Sequence, residues 1–339
     1  MAMEDIGARK PDPTNAYYEY CAMKELLTTL ASGLQKTGEA ELGDKIEKLI
    51  FNAAEGARAL GGKEITYCTR DNRYRIEGEL HNRSKFSPAH SDVAVCCNPN
   101  ATQTFPIYVR SMWMKTREGG LAATLYGPSL VNTIVKGVNV QIREETEYPF
   151  SSAVSLVISP ERPIDFHIQL RDPSWSRNTI VTCKGAASRR EGNYLVVAKE
   201  WKKGDRVSLS FHESTSGITA ANGEIALQRG PLVYALRIPE VARDMKDYSL
   251  PGFADLEYFP AQEAHWAYAL DAALGNGDFG FTARAEKNPN KQYPYDGAPI
   301  RLEGNLINLD SGQHEAVQLI PMGSSLAILR RVTFPMKRK

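Results

Sequence analysis

The stretch Val95-Cys96-Cys97-Asn98-Pro99-Asn100 places two cysteines side by side. Adjacent cysteines do not readily form a disulfide with each other, because that bond strains the peptide between them. They can instead bind one metal ion, or they can be small buried side chains without any ligand. The choice between these interpretations depends on what donors the rest of the chain supplies.

A second segment, Tyr18-Glu19-Tyr20-Cys21-Ala22, supplies two further donors. Zinc held by sulfur is usually four-coordinate and tetrahedral, so Cys96 and Cys97 need about two more ligands. Glu19 and Cys21 would complete a sulfur-rich set with one carboxylate, which favours zinc over calcium or magnesium. No Cys-x2-Cys pair occurs in the sequence, so a zinc finger is not indicated.

These two segments together resemble glycoside hydrolase family 127, the β-L-arabinofuranosidases. The resemblance extends across nearly the whole chain, because four further segments match the wording of the family. They are Arg171-Asp172-Pro173-Ser174-Trp175-Ser176, Trp201-Lys202-Lys203-Gly204-Asp205, Gln228-Arg229-Gly230-Pro231-Leu232-Val233-Tyr234 and Leu329-Arg330-Arg331-Val332-Thr333-Phe334-Pro335.

The resemblance implies a retaining glycoside hydrolase with a zinc-bound cysteine as its nucleophile. Carried over by position, it makes Cys96 the nucleophile and places Glu19, Cys21, Cys96 and Cys97 around the zinc ion. A metal-bound thiol is deprotonated, and cysteine sulfur is a strong nucleophile. Attack on an anomeric carbon, followed by hydrolysis, would retain the configuration of the sugar.

The resemblance also implies roles for three other side chains. Glu4 matches the acid/base glutamate, while Glu47 and Tyr67 match positions that contact the sugar. As bare residues they also have ordinary interpretations: a solvated charge near a chain end, a solvated helix glutamate and a tyrosine at the edge of a core.

Helical periodicity is confined to the first part of the chain. Apolar residues recur with helical spacing over residues 17–34 and 41–60, which predicts two helices. Members of the family carry an (α/α)6 barrel in their N-terminal half, so we interpret residues 1–112 as the last part of such a barrel. Two helices leave their apolar stripes uncovered, which predicts a partner chain or a homo-oligomer over this remnant.

Short β-branched segments separated by turn residues follow from about residue 121. Strict alternation in Ile164, Phe166, Ile168 and Leu170 predicts a strand with one buried face. The predicted fold is therefore mixed but mainly β: the barrel remnant is followed by a β-sandwich over 113–216 and a second β-sandwich over 217–339. Residues 239–291 are predicted to be long loops.

Composition restricts the partners and the compartment. Lys plus Arg number 41 and Asp plus Glu number 40, so no net field attracts nucleic acid or an anionic membrane. No apolar stretch has the length of a membrane span, and five cysteines do not suggest a disulfide framework. We therefore expect no nucleic acid partner, no membrane partner and a reducing, cytoplasmic environment.

Three hypotheses for function remain at this stage. The first is hydrolysis of an arabinose-containing oligosaccharide or glycoside. The second is a truncated or split homologue that is idle alone and forms the second half of a two-chain enzyme. The third is a carbohydrate-binding β-sandwich module, for which Trp175 and Trp201 would be stacking platforms, although tryptophans beside such turns are more often packing anchors.

Overall fold

The computed structural model describes residues 16–78, 83–91, 95–274, 279–286 and 293–338. It divides the chain into two compact units. The first unit comprises Met1–Leu27, Lys48–Thr104 and Thr215–Lys339, and the second comprises Thr28–Glu47 and Phe105–Ser214. The three-domain division inferred from the sequence stays a prediction.

Three α-helices occur among the described residues: α1 (Tyr20–Thr37), α2 (Ala40–Lys48) and α3 (Cys97–Arg110). The first two confirm the predicted helices, although the second predicted helix continues as a π-helical segment, Leu49–Ala54, and a 3-10 turn, Glu55–Ala57. Helix α3 was not predicted, because its prolines and polar residues hide the helical pattern. A proline in the first turn is compatible with a helix, since the N–H groups there have no helical acceptor.

The π-helical segment is explained by the side chain of Asn52. Its amide nitrogen donates to the carbonyl oxygens of Lys48 at 2.8 Å and Pro231 at 2.9 Å, and its oxygen accepts from the Val233 N–H at 2.7 Å. A side chain that binds a carbonyl four residues earlier competes with the backbone ladder, which favours an irregular turn. The local irregularity therefore ties this segment to the Gln228–Tyr234 part of the first unit.

The predicted helix stripes are covered within the described chain. Leu27 and Leu34 of α1 and Ile46 of α2 are fully buried. A covering partner was predicted on the expectation that these stripes are exposed, and their burial gives that prediction no support. The partner stays a prediction.

The second unit contains two five-stranded sheets, and each has one buried face. The alternation of Ile164, Phe166, Ile168 and Leu170 is confirmed, because all four side chains are buried. In spatial order the first sheet consists of Ser188–Glu191, Tyr194–Trp201, Ile164–Arg171, Leu121–Ala123 and Trp113–Lys115, and the second of Ile180–Cys183, Asp205–Ser210, Ala153–Pro160, Val138–Thr146 and Ser129–Val135.

The first unit is also rich in strands, which confirms the mainly β fold class. A ten-stranded sheet contains Thr215–Thr219, Ile225–Arg229, Leu232–Arg237, His314–Pro321, Ile300–Asn308, Tyr268–Asp271, Met336–Lys337, Thr282–Ala285, Arg330–Arg331 and Thr333–Phe334. A four-stranded sheet contains Glu240–Leu250, Phe253–Pro260, Phe86–Ser87 and Ile65–Thr66, and Tyr18–Glu19 pairs with Cys68–Thr69. Short 3-10 turns lie at Leu60–Gly62, Ala272–Leu274, Pro294–Asp296 and Ser325–Ala327.

The prediction of long loops over 239–291 was wrong for much of that segment. Glu240–Leu250 and Phe253–Pro260 form an antiparallel hairpin around Gly252, whose φ of +78° suits glycine. Most residues of Glu240–Leu250 are exposed, so this strand lacks the apolar alternation by which strands are recognised in sequence.

Arg330 connects the C-terminal part of the first unit to the segment that precedes the cysteine pair. Its guanidinium is fully buried and donates to the carbonyl oxygens of Gly56 at 2.8 Å, Asp71 at 3.1 Å and Arg70 at 3.1 Å. A buried guanidinium with several carbonyl acceptors fixes the backbone around it.

None of the described helices is both long and apolar enough to span a membrane.

Candidate metal and nucleophile site

The structure brings together the four side chains that the sequence singles out as zinc ligands. One donor atom from each of Glu19, Cys21, Cys96 and Cys97 lies within 4.8 Å of the others. The Cys21 Sγ atom is 3.1 Å from the Sγ atoms of both Cys96 and Cys97. The Glu19 Oε1 atom is 3.8 Å from Cys96 Sγ and 3.7 Å from Cys97 Sγ.

Backbone pairing and helix starts explain this convergence. Glu19 pairs with Cys68 in a short antiparallel ladder, and the Tyr20 N–H donates to the Tyr67 carbonyl at 2.9 Å. Helix α1 begins at Tyr20, so Cys21 lies in its first turn, and α3 begins at Cys97. The unpaired N–H groups and the dipole at a helix N-terminus favour a thiolate over a neutral thiol.

The amide groups of Asn98 and Asn100 fix the first turn of α3. The Asn100 Nδ2 atom donates to Cys21 Sγ at 3.1 Å, which connects the two helix starts directly. The Asn98 Nδ2 atom donates to the carbonyl oxygens of Pro88 at 2.8 Å and Ser87 at 3.3 Å. Both asparagines belong to a segment that resembles the family, but no role was predicted for either of them from the sequence.

Cys96 and Cys97 differ in their exposure. Cys96 is exposed, whereas Cys97 is fully buried and packs in a core cluster with Tyr20, Met23 and Ala101. The Tyr67 hydroxyl lies 3.0 Å from Cys96 Sγ. Of the two adjacent cysteines, only Cys96 is therefore open to an incoming molecule.

Burial controls the protonation of this cluster. It raises the pKa of Cys97 far above its ordinary value, an effect to which a hydrogen bond with Cys21 adds, and it raises the pKa of Cys21 to about 11. Burial also raises the pKa of the Tyr67 hydroxyl, with Cys96 adding to the effect. Without a nearby cation the Cys21 and Cys97 thiols are protonated at neutral pH, and Tyr67 keeps a proton that it can donate to Cys96.

The donor set suits zinc. A zinc–thiolate tetrahedron with bonds of about 2.3 Å has edges of about 3.8 Å. The two carboxylate–sulfur distances, 3.7 and 3.8 Å, are slightly longer than the edge of about 3.5 Å that one Zn–O and one Zn–S bond would give, while the two sulfur pairs at 3.1 Å lie closer together than a sulfur–sulfur edge. Three thiols and one carboxylate favour zinc over hard cations, which prefer oxygen ligands.

Glu47, predicted to contact substrate, lies fully buried in the second unit. Its carboxylate is 2.5 Å from the Arg171 guanidinium, accepts from the Tyr148 hydroxyl at 2.6 Å and accepts from the Tyr126 N–H at 3.3 Å. Asp44 pairs with the same guanidinium. The contact of Glu47 with substrate stays a prediction, but a carboxylate with no exposed surface reaches a sugar only if this unit rearranges.

The other candidate residues have simpler positions. Glu4 lies outside the described residues. His90 is fully buried, with Nε2 2.9 Å from the Ile65 carbonyl oxygen and its ring edge-on to Tyr67. Trp201 is fully buried and donates from Nε1 to the Phe166 carbonyl at 2.8 Å, so it is a packing anchor.

Comparison with known proteins supports the resemblance seen in the motifs. The family model described as "Beta-L-arabinofuranosidase, GH127 middle domain" matches residues 120–213. A curated relative, the non-reducing end beta-L-arabinofuranosidase of Bifidobacterium longum subsp. longum, is 26% identical over 258 residues, which cover 69% of this chain and 37% of that protein.

Two solved structures share the fold. A GH127 β-L-arabinofuranosidase from Geobacillus stearothermophilus T6 aligns with a TM-score of 0.67 at 22% identity, covering 96% of this chain and 50% of that one. A second GH127 β-arabinofuranosidase aligns with a TM-score of 0.73 at 20% identity, covering 98% and 51%. The chain thus spans about half the length of these two relatives.

The chain therefore shares its fold with about half of these GH127 structures, and its matched residues are similar to the middle domain of that glycoside hydrolase family. The resemblance to glycoside hydrolase family 127 is confirmed over part of the chain, where residues 120–213 match the model of the GH127 middle domain.

Proposed function

We propose that this chain supplies the nucleophile and the zinc ligands of a retaining glycoside hydrolase of the β-L-arabinofuranosidase type. The observation that carries the proposal is the convergence of Glu19, Cys21, Cys96 and Cys97 within 4.8 Å, with Cys96 exposed. Three thiols from two distant segments seldom converge on one carboxylate without a ligand to hold. The substrate class is an arabinose-containing oligosaccharide or glycoside, as the names of the relatives suggest.

Cys96 would perform the first chemical step. Its sulfur forms a bond to the anomeric carbon while the bond from that carbon to the leaving oxygen breaks, and the leaving oxygen takes a proton from a general acid. A water molecule, whose proton goes to the residue that acted as the acid, then attacks the same carbon from the face that the leaving group occupied, and the carbon–sulfur bond breaks to restore the Cys96 thiolate. Two inversions give net retention.

Zinc bound by these four residues would keep the thiols deprotonated at neutral pH. The surrounding residues would orient the sulfur. The Tyr67 hydroxyl, 3.0 Å from Cys96 Sγ, would direct the sulfur toward the open side of the site, and Asn100 would hold Cys21. Glu4 remains the proposed general acid on the strength of its sequence position alone.

The short length of the chain favours a second candidate function. The chain covers only about half of the solved relatives, so a second polypeptide would supply the counterpart of their remaining length. In this case the chain is the metal-binding part of a split enzyme and is idle alone. It would bind zinc but would need a second polypeptide for turnover.

Zinc analysis and hydrolysis of a β-L-arabinofuranoside, measured on the same preparations, separate these functions. We expect one zinc ion per chain, and we expect the Cys96→Ser change to lower any turnover by at least about a thousandfold. Cys183→Ser, which changes a cysteine of the second unit, is the matched control and should leave both measurements unchanged. Zinc without turnover supports the split enzyme, whereas turnover that survives Cys96→Ser contradicts the nucleophile assignment.

A further inference from the structure

The second unit contains a cavity of about 750 Å³ that the proposed chemistry does not use. It lies between the C-terminal part of α1, the end of α3 and the sheet that contains Trp113–Lys115. All of its lining residues belong to the second unit, whereas the cysteine cluster belongs to the first. Its volume is within the range of about 300–1,000 Å³ that is usual for ligand sites.

Strand register shows how the floor of this cavity forms. Met114 lies opposite Ala122, and Ala122 lies beside Gln169 on the neighbouring strand, so these three side chains share one face of the sheet. Tyr194 pairs with Arg171, two residues beyond Gln169, and therefore shares that face. The small Ala122 side chain leaves room above the sheet.

Helix α2 covers the adjacent part of this face and leaves the cavity open. Gly43 of α2 lies so close to the sheet that a Cβ atom there would be 2.7 Å from Arg171 Cδ and 3.1 Å from the Thr124 carbonyl oxygen. The Tyr194 hydroxyl, at the boundary of the covered part, is buried and has no hydrogen-bond partner among the described residues. A buried hydroxyl without a partner is unfavourable, and a polar ligand would supply the missing hydrogen bond.

The charges around the cavity select an anion. Its lining contains four cations, Lys36, Arg110, Lys115 and Arg117, and one acid, Glu118. Lys36 and Arg110 lie in the last turns of α1 and α3, where basic residues are also common because they complement the helix dipole. Lys115 and Arg117 have no such explanation, since they end a strand and follow it.

Trp113 and Tyr194 add aromatic surface to this basic lining. The Trp113 Nε1 atom donates to Ser129 Oγ at 3.3 Å, which fixes the plane of the indole ring. An oriented aromatic ring with amide and hydroxyl groups nearby is a surface on which a sugar ring can pack.

We propose that this cavity binds an acidic oligosaccharide through the uronate carboxylates of its sugars. The choice of a saccharide over other anions rests on the proposed glycan-cleaving function, while the preference for an anion rests on the lining alone. The site would hold an acidic part of a glycan chain, in a different unit from the one that carries the cysteine cluster.

Calorimetric titration of the full chain with a trimer of galacturonic acid tests this proposal, with a neutral arabinose trimer as the comparison. We expect the acidic trimer to bind at least about tenfold more tightly at low salt, because charge-assisted hydrogen bonds are stronger than neutral ones. The double change Lys115→Gln, Arg117→Gln should lower that affinity about tenfold and reduce its dependence on salt. Tyr194→Phe should lower it about threefold.

The matched control is Arg162→Gln, Lys202→Gln, which removes two exposed cations elsewhere in the same unit and should leave binding unchanged. Equal affinity for the two trimers, or an equal loss of affinity in the control, overturns the proposal. So does complete competition by inorganic sulfate at the concentration of the trimer, which would reveal a general anion site.

Titration of the chelator-treated chain keeps this proposal separate from the proposed function. If the treated chain binds the acidic trimer but takes up no zinc when zinc is added back, the result supports the cavity and contradicts the proposed hydrolase. Zinc uptake without trimer binding removes only the cavity.

Discussion

Cys21 is the residue on which the candidate site depends most. Its sulfur contacts both adjacent cysteines at 3.1 Å and accepts a hydrogen bond from the side-chain amide of Asn100. It also lies in the first turn of α1, whose entry is fixed by the Tyr20 N–H bond to Tyr67. Removal of this one thiol would therefore break the sulfur contacts between the segment that carries Glu19 and the one that carries Cys96 and Cys97.

Cys21→Ser should abolish tight zinc binding, because three donors remain and one of them is a single carboxylate. The measurement is zinc content after dialysis against a competing chelator, with Cys183→Ser as the control. A Cys21→Ser chain that still holds one zinc ion would show that this thiol is not a ligand.

Asn100→Ala should weaken zinc binding about tenfold without removing it, because groups that hydrogen-bond to a metal ligand orient that ligand. Competition with a colorimetric chelator gives the affinity, and the absorption of the cobalt-substituted chain reports whether the sulfur ligands are retained. Asn132→Ala, at an exposed position of the second unit, is the control. An unchanged affinity would mean that the Asn100 contact with Cys21 does not support the site.

Helix α2 contributes two carboxylates to the buried ion-pair network of the second unit. Arg171 is fully buried, donates from Nε to the Thr124 carbonyl at 2.6 Å and pairs with both Glu47 and Asp44 of this helix. Gly43 lies so close to the Arg171 side chain that a Cβ atom at this position would be 2.7 Å from Arg171 Cδ. A buried pair loses stability sharply when one partner is displaced, because the other charge is then left uncompensated.

Gly43→Ala should therefore destabilise the protein by about 1–3 kcal/mol, although alanine favours a helix more than glycine does. Gly33→Ala in α1 is the matched control, since its Cβ would meet only the flexible Leu42 side chain at 3.0 Å. Urea unfolding followed by near-ultraviolet circular dichroism measures both variants. Equal stability of the two variants would show that the contact between Gly43 and Arg171 is not tight.

Buried carboxyl groups give the whole molecule a characteristic response to pH. Burial raises the pKa of Glu144 to about 8, although hydrogen bonds from the Gly127 N–H and the Ser129 hydroxyl oppose the shift. Burial likewise raises the pKa of Glu55 to about 7. These groups bind protons more tightly in the folded chain than in the unfolded one, where the pKa is near 4.5.

Stability should therefore fall as pH rises from about 5 to about 8, because the folded chain must release these protons while the unfolded chain has already done so. Carboxylates whose pKa is lowered by partners, such as Asp255 beside Lys85, lose their contribution only below about pH 4. Glu144→Gln, which mimics the protonated acid, should flatten the fall in melting temperature. A melting temperature that rises across this range in the parent chain would contradict the direction of the shift.

The sequence by itself determined the fold class, two of the three α-helices in the described part of the chain and the four residues proposed for the candidate zinc site. Apolar periodicity and the spacing of turn residues are local signals, and cysteine chemistry limits what a pair such as Cys96 and Cys97 can do. Such signals did not predict two elements, because neither has a regular apolar pattern. These elements are the hairpin of Glu240–Leu250 and Phe253–Pro260 and the helix Cys97–Arg110.

Only the tertiary structure decided which side chains share an environment. It placed Glu47 in a buried network with Arg171, Tyr148 and Asp44, although a glutamate in a helix is usually solvated. It also brought Lys115 and Tyr194 to one cavity across a strand register that no local pattern encodes. Contacts between residues far apart in the chain depend on packing of the whole unit, so the exposure of Cys96 and the burial of Cys97 could be read only from the folded chain.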